Sequence, residues 1–296
     1  MTTLVVGGTG LLGSRVCKEL AAQGKPVAAL VRSADDPAKV DPLRAAGVQL
    51  VEGDLKDAAS LERACQGMES IVSTASASIS RQSGDDIETV DRDGQKRLVD
   101  AAKSAGVSRF VYISFSSNLT TEAPLTAIKR EVERYIMDSG IGYTILRCAF
   151  LMEVMVHPIM GFDAANGKAV VYGTGETGLS LVSMDDVAKM VALCLDSADA
   201  ANAVIEFGGP EAVTQHQIVA LFEEAAGRPF EVQHVPEEAL VTQWQTTEDP
   251  LWRSLNALTV DYAHGDVIDM AATLKQYPMD LSTVRDYASK VVASPS

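Results

Sequence analysis

The chain has 296 residues, 47% of them hydrophobic and 22% charged, and a formal net charge of −15. This is ordinary globular composition, and the acidic balance argues against nucleic acid or an anionic membrane as a partner. No apolar run approaches the ~18 residues needed to span a bilayer, and no basic segment precedes the first apolar run, so neither a membrane anchor nor a secretory signal is expected.

The first half alternates short apolar runs with helical patterns. Leu4-Val5-Val6 predicts a strand, then glycines, then a helix over residues 12–23. Strands follow at residues 26–31 and 48–52, a helix begins near Ala58, and Ile71-Val72-Ser73 is a fourth strand. A long helix over residues 91–104 precedes the strand Phe110-Val111-Tyr112-Ile113; a helix over residues 125–139 precedes a strand at 143–146. Short buried strands alternating with helices predict a parallel sheet covered on both faces, an α/β Rossmann-type doubly wound fold. After Phe150 the rhythm changes. Strands are expected at 169–172 and 204–207, and helices at 185–195, 214–226 and 282–292; both tryptophans, Trp244 and Trp252, fall in this part. Residues 1–150 are therefore expected to form the nucleotide domain and 151–296 mainly a smaller substrate lobe, with some elements returning to the main sheet.

The four cysteines, Cys17, Cys65, Cys148 and Cys194, lie far apart, as expected of free thiols in a reducing, cytoplasmic compartment. The four histidines show no ligand spacing, so no metal site is expected.

Gly7-Gly8-Thr9-Gly10-Leu11-Leu12-Gly13 follows the first strand and opens a helix. Both G-x-x-G-x-x-G and G-x-G-x-x-G can be read in it. Either way one glycine makes the tight turn, another admits a pyrophosphate, and a third allows close helix–strand packing, while the helix N-terminus offers N–H groups to the phosphates. Gly173-Thr174-Gly175-Glu176-Thr177-Gly178 satisfies the same pattern, but Leu179-Ser180-Leu181-Val182 after it alternates like a strand. That segment predicts a hairpin or surface loop and no phosphate site. At the end of the second strand Val31-Arg32-Ser33 puts a guanidinium where an NAD-selective site has a carboxylate, which favours NADP(H) over NAD(H). Asp35 or Asp36 would serve as the ribose carboxylate only if that strand ran longer.

With these residues the chain resembles the atypical short-chain dehydrogenase/reductases, in particular the NmrA-like group with its isoflavone-reductase-type enzymes. The resemblance rests on Gly7 to Gly13, Val31-Arg32, Gly53-Asp54-Leu55, Asp91-Arg92-Asp93-Gly94, residues 106–114, Lys129, residues 144–153, and Gly208-Gly209-Pro210 with Thr214-Gln215-His216-Gln217-Ile218. It implies that Asp54 and Leu55 border the adenine, that Ser73, Thr74 and Ala75 line the cofactor, and that Ala149, Phe150 and Leu151 lie near the nicotinamide. Cys148 stands where the family usually has proline.

Enzymes of this superfamily commonly carry Tyr-x-x-x-Lys on one helix face, the lysine binding the nicotinamide ribose and lowering the tyrosine pKa. Here the lysine would be Lys129, and four residues before it stands Leu125. Isoflavone-reductase-like proteins also lack that tyrosine and keep a lysine. Lys129 is thus the expected proton donor or ribose anchor, helped by Ser114 or Ser116. Tyr112, Tyr143 and His157 read as core or surface. Two readings stand: an NADPH-dependent reductase of a small apolar conjugated or carbonyl-type acceptor, or a non-catalytic NADP(H)-binding redox sensor or assembly factor that works through a protein partner. A homo-oligomer is compatible with either.

Overall fold

The computed structural model describes residues 2–34, 36–78 and 82–293. The elements in order are β1 (Thr3–Val6), α1 (Leu11–Ala22), β2 (Val27–Val31), α2 (Pro37–Ala45), β3 (Gln49–Glu52), α3 (Ala58–Cys65) and β4 (Ser70–Ser73). A π-helical stretch (Ile87–Gly94) runs into α4 (Gln95–Ser104), followed by β5 (Arg109–Phe115), α5 (Pro124–Asp138), β6 (Gly142–Cys148) and the short α6 (Met152–Met155). Then come β7 (Lys168–Tyr172), α7 (Met184–Asp196), β8 (Ala203–Phe207), α8 (Gln215–Ala226), β9 (Glu231–Val235), α9 (Glu237–Thr246), α10 (Pro250–His264), α11 (Ala271–Gln276) and α12 (Val284–Ala293).

Seven strands form one sheet in the order β3-β2-β1-β4-β5-β6-β8. The pairs β1/β2, β2/β3, β1/β4 and β4/β5 are parallel, and β1, β2 and β4 are buried along their whole length. This is the covered parallel sheet expected of such continuous apolar strands. The strand order reverses at β1, between β2 and β4, and there the carboxyl ends of strands leave a crevice suited to a ligand. The chain divides into two compact units, one of Met1–Ser114, Leu125–Leu146 and Val187–Ile205, the other of Phe115–Pro124, Arg147–Asp186 and Glu206–Ser296. Thus most of α7 and β8 belong with the nucleotide half, and residues 115–124 with the other.

The second unit carries a small parallel pair, β7 and β9, and its own apolar core of Met152, Phe162, Val171, Leu181, Phe222 and Tyr262. Phe162 meets Phe222 edge-on at 4.8 Å and Phe150 meets Tyr262 at 5.2 Å between ring centroids, a geometry the ring quadrupoles favour. Its helices are fixed by local signals. Thr214 and Gln217 form a reciprocal capping box on α8, which ends at Gly227 in the left-handed region, and Asp249 caps α10 ahead of Pro250.

The predicted helix at 91–104 starts earlier, at Ile87, and its first eight residues are π-helical. Asp86 and Thr89 cap it reciprocally. A Cβ at Gly94 would stand 2.8 Å from Leu55 Cβ, so glycine lets these wide turns approach Leu55 in the loop after β3. No strand forms at residues 179–182, where Leu179 and Val182 make isolated bridges only. No helix among the described residues is long and apolar enough to cross a membrane.

Candidate functional site

The turn between β1 and α1 is built around glycine. Gly7 has φ +87°, a conformation L side chains rarely adopt, and its carbonyl accepts the Gly10 N–H at 2.9 Å. A Cβ at Gly13 would lie 2.1 Å from Gly7 O and 2.7 Å from Thr74 Oγ1, so helix and turn meet there as bare backbone. At Gly8 a Cβ would strike Ala29 Cβ at 2.7 Å, on β2. Gly10 differs. Its Cβ would meet only Gly7 O, at 3.1 Å, with nothing else within 4 Å. No side chain caps α1 at Gly10, so the first turn presents its N–H groups and the positive end of the helix dipole. Open space over Gly10 beside an uncapped helix N-terminus is what a diphosphate needs. The residues present fit a dinucleotide.

The end of β4 closes this cradle. Thr74 donates its N–H to Val6 O at 2.9 Å, and its hydroxyl to the same oxygen at 3.2 Å. The Ser73 hydroxyl donates to Gln95 Oε1 at 2.8 Å, and Gln95 returns a bond from Nε2 to Ala75 O at 3.1 Å. Gln95 is fully buried and orders this segment from within; nothing in its sequence context singled it out. Beyond β3, the Asp54 carboxylate accepts the Lys56 N–H at 2.8 Å in a local turn, and Leu55 is buried.

Strand β2 ends at Val31, so Arg32 and Ser33 lie at the strand end. Asp36 sits further on as the N-cap position of α2, paired with Lys39 at 3.0 Å; Asp35 lies outside the described residues. Arg32 Nη1 is ion-paired with Asp85 Oδ2, and Lys56 Nζ meets the other oxygen of the same carboxylate at 2.6 Å.

Helix α5 turns Leu125, Lys129 and Glu133 inward at i, i+4 and i+8. Lys129 is buried, with Nζ 3.8 Å from Asp91 Oδ1, 3.5 Å from Ile113 O and 4.9 Å from the Tyr112 ring centroid. Asp91 Oδ2 accepts the Ala77 N–H at 2.9 Å, while buried Oδ1 has no hydrogen-bond partner among the described residues. Burial pushes the Asp91 pKa up, partly countered by the Lys129 charge. Tyr112 is fully buried and its hydroxyl has no hydrogen-bond partner among the described residues; burial, then the charges of Asp91 and Glu133, push its pKa well up. The Ser114 hydroxyl donates to Glu133 Oε1 at 2.5 Å, and Arg130 Nη1 binds the same oxygen at 2.6 Å.

In the second unit the Ser116 hydroxyl donates to Asp266 Oδ1 at 2.7 Å, shared with Asn118 Nδ2 at 2.9 Å. Ala149 donates its N–H to Phe207 O at 2.9 Å, Phe150 accepts the Val182 N–H at 3.1 Å, and Leu151 precedes α6. A cavity of about 10 Å³ lined by Met155, Met160, Phe162, Tyr172 and Tyr262 is the size of one water. The methionines there mostly fill core. His157 caps a short turn through the Ile159 N–H. All four cysteines are buried, and burial pushes the thiols of Cys17 and Cys194 up to about 12 and that of Cys65 to about 11, so these are thiols and not nucleophiles at neutrality. No cluster of His, Cys, Asp and Glu among the described residues could hold a metal ion.

The model of the NmrA-like family matches residues 1–287. The chain is similar to the isoflavone reductase homolog IRL of Zea mays, 36% identical over 84% of this chain and 82% of that protein. It is also similar to the photosystem II assembly factor Ycf39 of Synechocystis sp., 28% identical over 97% of this chain and 89% of that one. Among solved structures, the NADPH complex of an NADPH-dependent quinone oxidoreductase from Escherichia coli aligns with a TM-score of 0.77 and 25% identity, over 98% of this chain and 99% of that chain.

Proposed function

The chain belongs to the NmrA-like family, and from that premise we propose that it is an NADPH-dependent oxidoreductase reducing a small apolar acceptor of conjugated or carbonyl type. The observation that carries this reading is the uncapped N-terminus of α1 facing open space at Gly10, in the same unit as a buried lysine. Bound there, the cofactor supplies a hydride from its nicotinamide. The first-turn N–H groups of Leu11, Leu12 and Gly13 hold the diphosphate, with Gly7 and Thr9 shaping the turn. Arg32 and Ser33 take the 2′-phosphate, which a guanidinium binds by charge-assisted hydrogen bonds. Asp54 and Leu55 border the adenine, and Ser73, Thr74 and Ala75 form the opposite wall.

Lys129 Nζ holds the proton that an acceptor oxygen or carbon must receive, or anchors the ribose. Asp91 Oδ1, 3.8 Å from Nζ in the same buried site, is the ion-pair partner of that ammonium. Ser114 and Ser116 act as supports, each donating to a buried carboxylate. Acceptor binding is assigned to the second unit, whose core is apolar. The cytoplasm is the compartment that four separated free thiols fit best.

Full-length similarity to an assembly factor favours one other reading, a dinucleotide-binding protein that signals through a partner, and Leu125 in place of tyrosine agrees with it. NADPH consumption followed by absorbance against quinones, enones, aldehydes and imines separates the two. Acceptor-dependent oxidation is the expected result. No oxidation across the panel, with NADPH shown to bind, overturns the reductase in favour of the partner reading.

A further inference from the structure

The loop before the π-helical stretch places an acid where the cofactor's anion should go. Asp85 has a side chain only 2% exposed, yet it lies in a turn whose neighbours Gln82 and Gly84 face solvent. Its carboxylate accepts on both oxygens. Oδ2 accepts from Arg32 Nη1 and, at 2.8 Å, from the Gln82 N–H; Oδ1 accepts from Lys56 Nζ at 2.6 Å. Burial alone would raise its pKa, but the bonds from Lys56, Gln82 and Arg32 more than offset this and hold it below the ordinary carboxylate range. Asp85 therefore carries its negative charge throughout the physiological range.

Two cations converging on one anion form a recognition site whatever anion they hold. Arg32 comes from the end of β2 and Lys56 from the loop after β3, two neighbouring parallel strands. We propose that Lys56 completes the 2′-phosphate site with Arg32, and that Asp85 is an internal anion competing with the 2′-phosphate for this pair. The proposal rests on the reading that Arg32 receives the 2′-phosphate. A dianionic phosphate satisfies both cations better than a carboxylate, so NADP(H) displaces Asp85, whereas NAD(H), with a hydroxyl there, leaves it in place. The displacement needs little rearrangement. Gly84 has φ +79° and so makes the turn without side-chain strain, and the next residue, Asp86, stays pinned by its own bond from the Thr89 N–H at 2.7 Å. Asp85 can leave without unwinding the helix that carries Asp91.

The test is binding, not turnover. Dissociation constants for NADPH and NADH are measured on the wild type and on Asp85→Asn, Asp85→Ser, Lys56→Gln and Arg32→Gln. Removing the competing charge is expected to tighten NADPH by about fivefold and leave NADH within about twofold. Lys56→Gln is expected to weaken NADPH selectively by about tenfold. In the wild type, hydrogen exchange of the Gln82 amide should accelerate with NADPH bound and not with NADH. If both Asp85 variants bind NADPH unchanged or more weakly while Arg32→Gln weakens NADPH selectively, the competing role is wrong and Asp85 only organises the cations. If Arg32→Gln weakens both cofactors equally or neither, the 2′-phosphate reading itself falls and the proposal with it.

Discussion

The chain contains the same glycine pattern twice, at residues 8–13 and 173–178, and the two copies are built for opposite purposes. In the first, Gly10 opens onto empty space and the chain enters a twelve-residue helix. In the second the space at every glycine is filled. A Cβ at Gly173 would meet Ala263 Cβ at 2.9 Å, one at Gly175 would meet Val171 Cγ1 at 2.4 Å, and one at Gly178 would meet Val267 at 2.9 Å. The chain then continues into an isolated bridge from Leu179 to Val213, not a helix. Glycine in the second copy lets the chain pack close to its neighbours; in the first it keeps a place for a ligand. The pattern alone does not distinguish these uses, and the element that follows does.

The largest effect expected is on the first copy. Gly10→Val adds methyl groups to the open space while its Cβ meets backbone only at 3.1 Å, so NADPH affinity should fall on the order of 100-fold with the fold intact. Calorimetric titration with a melting curve reads both; unchanged affinity would place the cofactor elsewhere. Next comes the lysine of the same unit. Lys129→Met should lower kcat at saturating NADPH by about 100-fold. The single variant also leaves Asp91 buried beside no cation, which is destabilising. The double variant Asp91→Asn/Lys129→Met removes both charges and should recover thermal stability without recovering turnover. A double variant with normal kcat would return Lys129 to a purely structural role.

What sequence could and could not show follows the same division. The β1–α1 turn and Arg32 were legible because periodicity and strand–turn–helix order are local. Lys129 is singled out only by the resemblance, and its burial against Asp91 is not legible, because a charged residue within a helix gives no local sign of a buried partner on another element. Glu133, one turn further along that face, was hidden for the same reason. The Arg32–Asp85 and Lys56–Asp85 pairs join residues 53 and 29 positions apart, and no spacing rule connects such residues. Helix α10 is a different case. Asp249 followed by Pro250 is a start signal that marks this helix in the sequence itself.

The second copy supplies the contrasting test. Gly175→Ala must hold an alanine at φ +73° and push against Val171 and the His216 ring. A loss of about 1–3 kcal/mol is expected by denaturant titration, with the Kd for NADPH unchanged. Parallel loss of NADPH affinity would mean that this loop also serves the nucleotide, and the distinction between the copies would fail.

The smallest effect sharpens the same point through pH. Asp266 donates its N–H to Gly178 O at 2.9 Å and so belongs to the packing of the second copy. Burial raises its carboxyl pKa, and the bonds from Ser116 and Asn118 counter this only in part; Oδ2 has no hydrogen-bond partner among the described residues. A carboxyl with a raised pKa in the fold binds protons more tightly folded than unfolded. Its stabilising contribution is complete below the unfolded value of about 3.9 and is lost as pH rises through the raised value. Asp266→Asn removes that dependence. The wild type should therefore lose stability relative to the variant between acid pH and neutrality, read as diverging unfolding midpoints, with NADPH binding the same in both. Parallel midpoints across that range would show that Asp266 titrates as an ordinary carboxylate.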